Sequence, residues 1–340
     1  PVQQIMPPPP PNYGAIERPG GTIMIEATDG SSNTRAILER IIAAISEPQI
    51  PKEKKSEKFE LDLNKTYDVL NINNSALTLT DLINLGKNYS EERRGMYAFN
   101  YEALSEIVPH LEELNGMVGM KHLKKAVVRK IVYDLLNLGS SSEMNHMMIQ
   151  GPPGVGKTSV AILLAKIYNS INAEKRNIKK PITVYSRQSL IGGYLGQTAI
   201  KTQKAIEECL DGVMIIDEVY SLLNKDKDSY ADECIITLLE AMTKYAGRLT
   251  VIMLGYKEDN EKLIEANKGM ARRITHIYNI DKYTSQELTE IFVKMVSNAK
   301  WSISDELYNE KVPMEERMLY NFMRRRYDDF PNFGGDVETL

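Results

Sequence analysis

Five short runs of mostly apolar residues punctuate the second half of the chain: HMMIQ (146–150), ITVYS (182–186), GVMIID (212–217), RLTVIML (248–254) and THIYNI (275–280). Each is separated from the next by a segment with helical spacing. Short continuous apolar strands alternating with helices predict a parallel sheet covered on both faces. Upstream, Lys121 to Leu138 predicts a helix whose Val127, Val128, Ile131, Leu135 and Leu138 face inward. Residues from about Asp281 onward read as all-helical, which predicts a smaller second lobe.

The first hundred residues are patterned differently. Residues 1–20 hold Pro7 to Pro11 in an unbroken run and read as an extended arm that cannot bury enough apolar surface to fold alone. The stretch TIMIEATDGSSNTRAILERIIAAI predicts a short strand, a turn at Asp29-Gly30 and a helix capped by Ser32 or Asn33. Ile37, Ile41, Ile42 and Ile45 share one face of that helix. Residues 50–58 form a charged linker, and LTLTDLINLGKNY is the clearest helix before residue 101. The expected organisation is an arm over 1–20, an α+β N-terminal region of unassigned role over 21–100, an α/β core over 101–280 and a helical lobe over 281–340. That lobe stops at Leu340 in what reads as a helix start, and the chain begins at a proline. It therefore reads as a stretch of something longer, with its last lobe incomplete.

Composition narrows the class without naming a chemistry. The 340 residues are 42% hydrophobic and 26% charged, ordinary for a soluble globular protein, and long enough for two or three domains. No run of about 18 apolar residues predicts a membrane span, and no basic-then-apolar leader opens the chain. Cys209 and Cys234 fall in helix-like apolar patterns and read as core residues of a reducing compartment, so the expected location is intracellular and cytoplasmic. A net charge of −4 argues against a nucleic-acid partner. His110, His122, His146 and His276 show no metal-ligand spacing, so no zinc site is expected. Lys121, Lys124, Lys125, Arg129 and Lys130 sit opposite an apolar face and read as solvated surface.

One stretch carries definite chemistry. Gly151-Pro152-Pro153-Gly154-Val155-Gly156-Lys157-Thr158 follows an apolar strand and precedes the helical run SVAILLAKIY, which satisfies G-x-x-x-x-G-K-[ST] in its required context. Glycines let successive backbone N–H groups curl around phosphate oxygens, and the helix that follows points its positive end at the same charge. Lys157 is placed to neutralise the β- and γ-phosphates, and Thr158 to ligate Mg²⁺. The run VMIIDE supplies a strand ending in acid. Asp217 can hold Mg²⁺, mostly through water, and Glu218 can deprotonate an attacking water. ATP and Mg²⁺ are the expected ligands, and a glutamate at 218 implies hydrolysis.

GYLGQTAIKT, GVMIIDEVYSL, VIMLGYKED and NKGMARRI occur in this order, and with these motifs the chain resembles the AAA+ ATPases, in particular the clade of red-type Rubisco activases and their bacterial and large-virus relatives. The resemblance covers roughly Leu111 to Tyr283, about half the chain. It implies a P-loop AAA+ core, with Walker A and Walker B elements and a small helical lid, in a ring that is usually hexameric with ATP at each subunit boundary. It puts Val118 and Gly119 against the adenine, where a plain loop before a helix is the other reading. Arg273, with Arg272 second, falls in the region of the arginine finger; a solvated basic pair is the alternative. No asparagine or threonine stands after the fourth strand as a γ-phosphate sensor, and Asp336 occupies the region where relatives often carry a sensor arginine.

The resemblance also gives Tyr194-Leu195-Gly196 the form of a pore loop, an aromatic–hydrophobic–glycine triplet that grips an extended polypeptide, with residues 224–232 as a second polar loop. Tyr194 packed under its own loop or in a subunit contact is the competing account. The leading expectation is a chaperone-like ring motor, Mg²⁺- and ATP-dependent, that remodels a protein substrate by threading. The alternative is an assembly factor or scaffold in which ATP stabilises an oligomer and the N-terminal region docks a partner. A nucleic-acid translocase or clamp loader comes last.

Overall fold

The computed structural model describes residues 77–89, 100–136, 138, 143–171, 181–194, 196–223 and 229–338, together with the backbone of a two-stranded antiparallel hairpin, β1 (Ala15–Arg18) and β2 (Gly21–Met24). The rest of the Pro-rich arm, the helix expected after Ser32, the charged linker, Leu195 and residues 224–228 lie outside the described residues.

The apolar runs form the expected sheet. β3 (His146–Gln150), β4 (Ile182–Tyr185), β5 (Val213–Ile216), β6 (Thr250–Gly255) and β7 (Ile274–Asn279) pair in the order β4-β5-β6-β3-β7, and every pairing is parallel. The phosphate-loop strand β3 therefore lies between β6 and β7 rather than beside β4. That crossover brings the carboxyl ends of β3, β5 and β6 side by side. Residues alternate between two cores: Met147, Ile149, Ile252 and Leu254 face one, and Met148, Met214, Ile216 and Met253 face the other.

The first core is closed by helices α1 (Leu79–Lys87), α2 (Tyr101–Gly116), α3 (Lys121–Leu135) and α4 (Lys157–Ile171). Thr78 and Asp81 form a capping box that starts α1, and Asn100 Oδ1 accepts from Ala103 N at 2.9 Å to start α2. Leu104, Ile107, Leu111 and Leu114, at helical spacing on α2, are fully buried. Each contributes about 1.5–3 kcal/mol of transfer free energy. Helix α1 precedes residue 101 in sequence but packs into this same core against α2. Helix α3 ends at Leu135, three residues short of the expected Leu138. The second core is covered by α5 (Arg187–Leu190), α6 (Gln197–Glu208), α7 (Ser229–Lys244), α8 (Lys257–Ala266) and α9 (Lys268–Ala271), and it encloses both unpaired cysteines, Cys209 and Cys234.

The basic face of α3 is not uniformly solvated, contrary to the sequence reading. Lys121 and Lys125 are exposed, but Lys124 donates to the carbonyls of Asn115 and Met117, and Lys130 is buried, ion-paired to Asp134. A buried ammonium is tolerated because its charge is matched one helical turn away.

After β7 the chain builds the helical lobe: α10 (Ser285–Asn298), α11 (Met318–Arg325) and the short α12 (Gly334–Val337). Thr284 and Glu287 cap α10 reciprocally. No helix among the described residues is long and apolar enough to cross a membrane.

His146 opens β3 with no exposed surface. Val251 N donates to its Nδ1 at 3.1 Å, so the proton sits on Nε2, which donates to Met242 O at 3.1 Å. Burial lowers its pKa from 6.5 to about 4. Between these values the unfolded chain binds the extra proton, so stability is present above pH 6.5 and is lost as pH falls toward 4, by about 3 kcal/mol. His146→Gln is expected to be less stable than wild type at pH 7 and to converge on it near pH 4.5 in urea unfolding. A constant gap between the two would contradict a neutral, buried His146.

Candidate active site

The loop from Gly151 to Gly156 leaves β3 between β6 and β7, and α4 starts at Lys157. Gly151 N donates to Gly255 O at the end of β6, which fixes the loop's first residue against the neighbouring strand. Gly154 and Gly156 have φ of +66° and +84°, values open to glycine at little cost and strained for other residues. Lys157 Nζ donates to the carbonyls of Gly151 (3.0 Å) and Pro152 (2.8 Å). Burial pushes its ammonium below the usual lysine range, and the Asp217 and Glu218 carboxylates pull it back up.

Asp217 and Glu218 leave the carboxyl end of β5, the strand beyond β6. Thr158 Oγ1 donates to Asp217 Oδ2 at 2.9 Å, so the hydroxyl and carboxylate expected to share a metal already face each other. Glu218 N donates to Asp217 Oδ1 at 2.9 Å. Glu218 itself has φ +52°, ψ +46°, a left-handed conformation that costs a non-glycine residue about 1–3 kcal/mol and turns its exposed side chain away from the strand direction.

Two aromatic residues absent from the sequence-level site complete this surface. Tyr256 follows β6, and its ring centroid lies 4.7 Å from Lys157 Nζ. Tyr220, in the 3₁₀ turn Val219–Leu222 after Glu218, stacks on Tyr256 with centroids 5.2 Å apart and planes at 28°. Burial, and then the neighbouring Glu218 carboxylate, raise the Tyr220 pKa above the usual phenol range. No motif spacing identifies this pair, because Tyr256 and Lys157 meet only through strand order.

The helical lobe sits directly on the phosphate loop. Tyr283 Oη donates to Val155 O at 3.1 Å, and Tyr327 Oη donates to Tyr283 O at 2.6 Å. A Cβ on Gly154 would overlap the carbonyl oxygen of Asn332. Asp336 does not reach toward the loop: its carboxylate accepts from Asn332 N (2.6 Å) and Asn332 Nδ2 (3.0 Å), locking the turn that rests on Gly154. On the other side, Val118 is half-buried, and Gly119, with φ +67°, lies where a Cβ would come 2.7 Å from Glu287 Oε1 and 3.3 Å from Tyr283.

Arg272 and Arg273 follow α9. Arg273 is half-buried and gives Nε to Thr243 Oγ1 and Nη1 to Gly269 O, both at 2.8 Å, whereas Arg272 is exposed. Tyr194 stands apart from the phosphate loop, 74% exposed. The loop that carries it is held at its base: Gly192 N donates to Thr198 Oγ1, Thr202 Oγ1 to Leu190 O, and Lys201 Nζ to Gln188 O and Ile191 O. Gly196, at φ +79°, turns the chain into α6.

Comparison with known proteins agrees with this geometry. Residues 147–282 match the family described as ATPase family associated with various cellular activities. The chain is 36% identical over 272 residues to the CfxQ-like protein R730 of Acanthamoeba polyphaga mimivirus, covering 79% of this chain and 64% of that protein. It is 34% identical over 238 residues to protein CfxQ of Xanthobacter flavus, covering 67% of this chain and 72% of that protein. It is 35% identical over 208 residues to the ESX-3 secretion system protein EccA3 of Mycolicibacterium smegmatis, covering 61% of this chain and 33% of that protein. The chain thus spans just under two thirds of the viral relative and a third of EccA3.

Proposed function

Because this chain belongs to the AAA family of ATPases, with CfxQ-like proteins among its relatives, we propose that it couples Mg²⁺-dependent ATP hydrolysis to pulling on a polypeptide in the channel of a ring. The observation that carries the pulling part is Tyr194: an aromatic side chain 74% exposed at the tip of a loop whose base is pinned by Thr198, Lys201 and Thr202. Such a ring can lie against any extended chain without selecting its sequence. Its exposure disfavours a side chain packed under its own loop.

In this reading the N–H groups of Gly154 to Thr158, at the start of α4, hold the phosphates, with Lys157 supplying the balancing charge. Thr158 Oγ1 and Asp217 Oδ2 are hard oxygen donors 2.9 Å apart, which suits Mg²⁺. When bound there, Mg²⁺ neutralises charge on the β- and γ-phosphate oxygens. Glu218 accepts the proton of the attacking water as its oxygen bonds to the γ-phosphorus and the β–γ bridging bond breaks. Val118 and Gly119, with Tyr283 across from them, form one wall of the adenine site.

For the arginine finger, exposure favours Arg272 over Arg273, whose Nε and Nη1 are committed to Thr243 and Gly269. Arg272→Ala is expected to lower ATP turnover at least about a hundredfold with the fold intact. Arg273→Ala is expected to lower the unfolding midpoint instead. The opposite pairing in phosphate release and thermal unfolding would assign the finger to Arg273. The ring itself is tested by negative-stain imaging of the Glu218→Gln variant with Mg²⁺ and ATP. Closed rings are expected, and monomers alone at saturating ATP would refute the assembly.

A further inference from the structure

The polar sensor that the sequence lacks after its fourth core strand has a spatial counterpart. Lys157 Nζ lies over the Tyr256 ring, Tyr256 stacks on Tyr220, and Tyr220 sits beside the Glu218 carboxylate, in the 3₁₀ turn that Glu218 caps. Four side chains from three separate loops thus form an unbroken line from the lysine that meets phosphate to the carboxylate that meets water. Behind it, Asn260 is fully buried, and neither its Oδ1 nor its Nδ2 has a hydrogen-bond partner among the described residues. Its amide presses against Gly255, where a Cβ would overlap Oδ1. An unpaired buried amide is costly, and a shift of the Gly255–Tyr256 backbone is a way to satisfy it.

We propose that Tyr256 and Tyr220 are positioning residues that relay occupancy at Lys157 to Glu218. Phosphate oxygens compete with the Tyr256 ring and the loop carbonyls for the Lys157 ammonium, since a charge-assisted hydrogen bond outweighs a cation–π contact. Withdrawal of the ammonium releases Tyr256. Tyr220 moves with the ring stacked on it and carries the Glu218 carboxylate to the position from which it deprotonates water. The stack makes the two tyrosines one unit, so their effects on turnover do not add.

The relay rests on the ATP-hydrolysis reading above, and the experiment separates the two. Steady-state turnover and affinity for a fluorescent ATP analogue are measured for wild type, Tyr220→Phe, Tyr256→Leu, Tyr256→Phe and the Tyr220→Phe/Tyr256→Leu double variant. Tyr220→Phe and Tyr256→Leu are each expected to lower kcat about tenfold with affinity within about threefold, and the double variant to be no worse than either single. Tyr256→Phe, which keeps the ring, is expected to recover most of the loss. An additive, roughly hundredfold loss in the double variant would overturn the relay. So would a loss confined to affinity, which is what a mere wall of the nucleotide site predicts. If Tyr256→Leu does not fold, a wild-type kcat in Tyr220→Phe overturns the proposal alone. Hydrolysis absent from wild type would remove both the relay and the reading beneath it.

Discussion

Glu218→Gln is expected to bind ATP with near wild-type affinity and to hydrolyse it at least about a hundredfold more slowly, the usual scale for losing a general base. The affinity is preserved because the groups proposed to hold the phosphates and their Mg²⁺ are elsewhere: Lys157 and Thr158 on α4, and Asp217, which faces Thr158 Oγ1 at 2.9 Å. The turnover is lost because glutamine keeps the shape of the side chain and removes its capacity to take a proton at neutral pH. The left-handed backbone at Glu218 supports a chemical role, since nothing in packing an exposed carboxylate repays that strain. Titration with a fluorescent ATP analogue and a phosphate-release assay check the two halves separately. Unchanged turnover would remove Glu218 from the reaction.

Gly154→Ala is expected to act on ATP binding, through the lid as well as the loop. At φ +66° an alanine costs about 1–2 kcal/mol in backbone strain alone. Its Cβ would also overlap the Asn332 carbonyl oxygen, in a turn locked by Asp336. Either the N–H groups of the phosphate loop lose their arrangement or the lid turn lifts from Gly154, and both weaken phosphate binding. ATP affinity is expected to fall at least about tenfold, equivalent to about 1.4 kcal/mol. Cleavage by trypsin after Arg324 to Arg326 is expected to speed up as the lobe loosens. Wild-type affinity with unchanged proteolysis would mean that the lid does not bear on the loop.

These two residues differ in how far the sequence exposes them. Glu218 follows four apolar residues and an aspartate, so local pattern was enough to single it out. The same holds for the strands: His146–Gln150 forms β3 as the apolar run predicts, because a strand buried on both faces shows itself residue by residue. Gly154 was legible as a phosphate-loop glycine, but its contact with Asn332 joins residues far apart in the chain. Lys130 shows the limit most plainly. Helical spacing puts it on the polar side of α3, yet tertiary packing buries it against Asp134. Tyr220 and Tyr256 are brought together only because β5 and β6 are neighbours in the sheet. Asp336, which stands where relatives often carry a sensor arginine, caps its own turn, a role that only the fold reveals.

In the proposed mechanism it is the exposed Tyr194 that would link the nucleotide chemistry to mechanical work. The measurement that tests this most directly is ATP-driven unfolding of a fluorescent reporter protein bearing an unstructured tail, with phosphate release followed in the same reaction, for wild type and Tyr194→Ala. Wild type is expected to extinguish the fluorescence only with hydrolysable ATP. Tyr194→Ala is expected to hydrolyse ATP within about twofold of wild type, because surface changes away from a site are near neutral, and to leave the reporter folded. Unfolding by Tyr194→Ala at the wild-type rate would contradict the pulling mechanism.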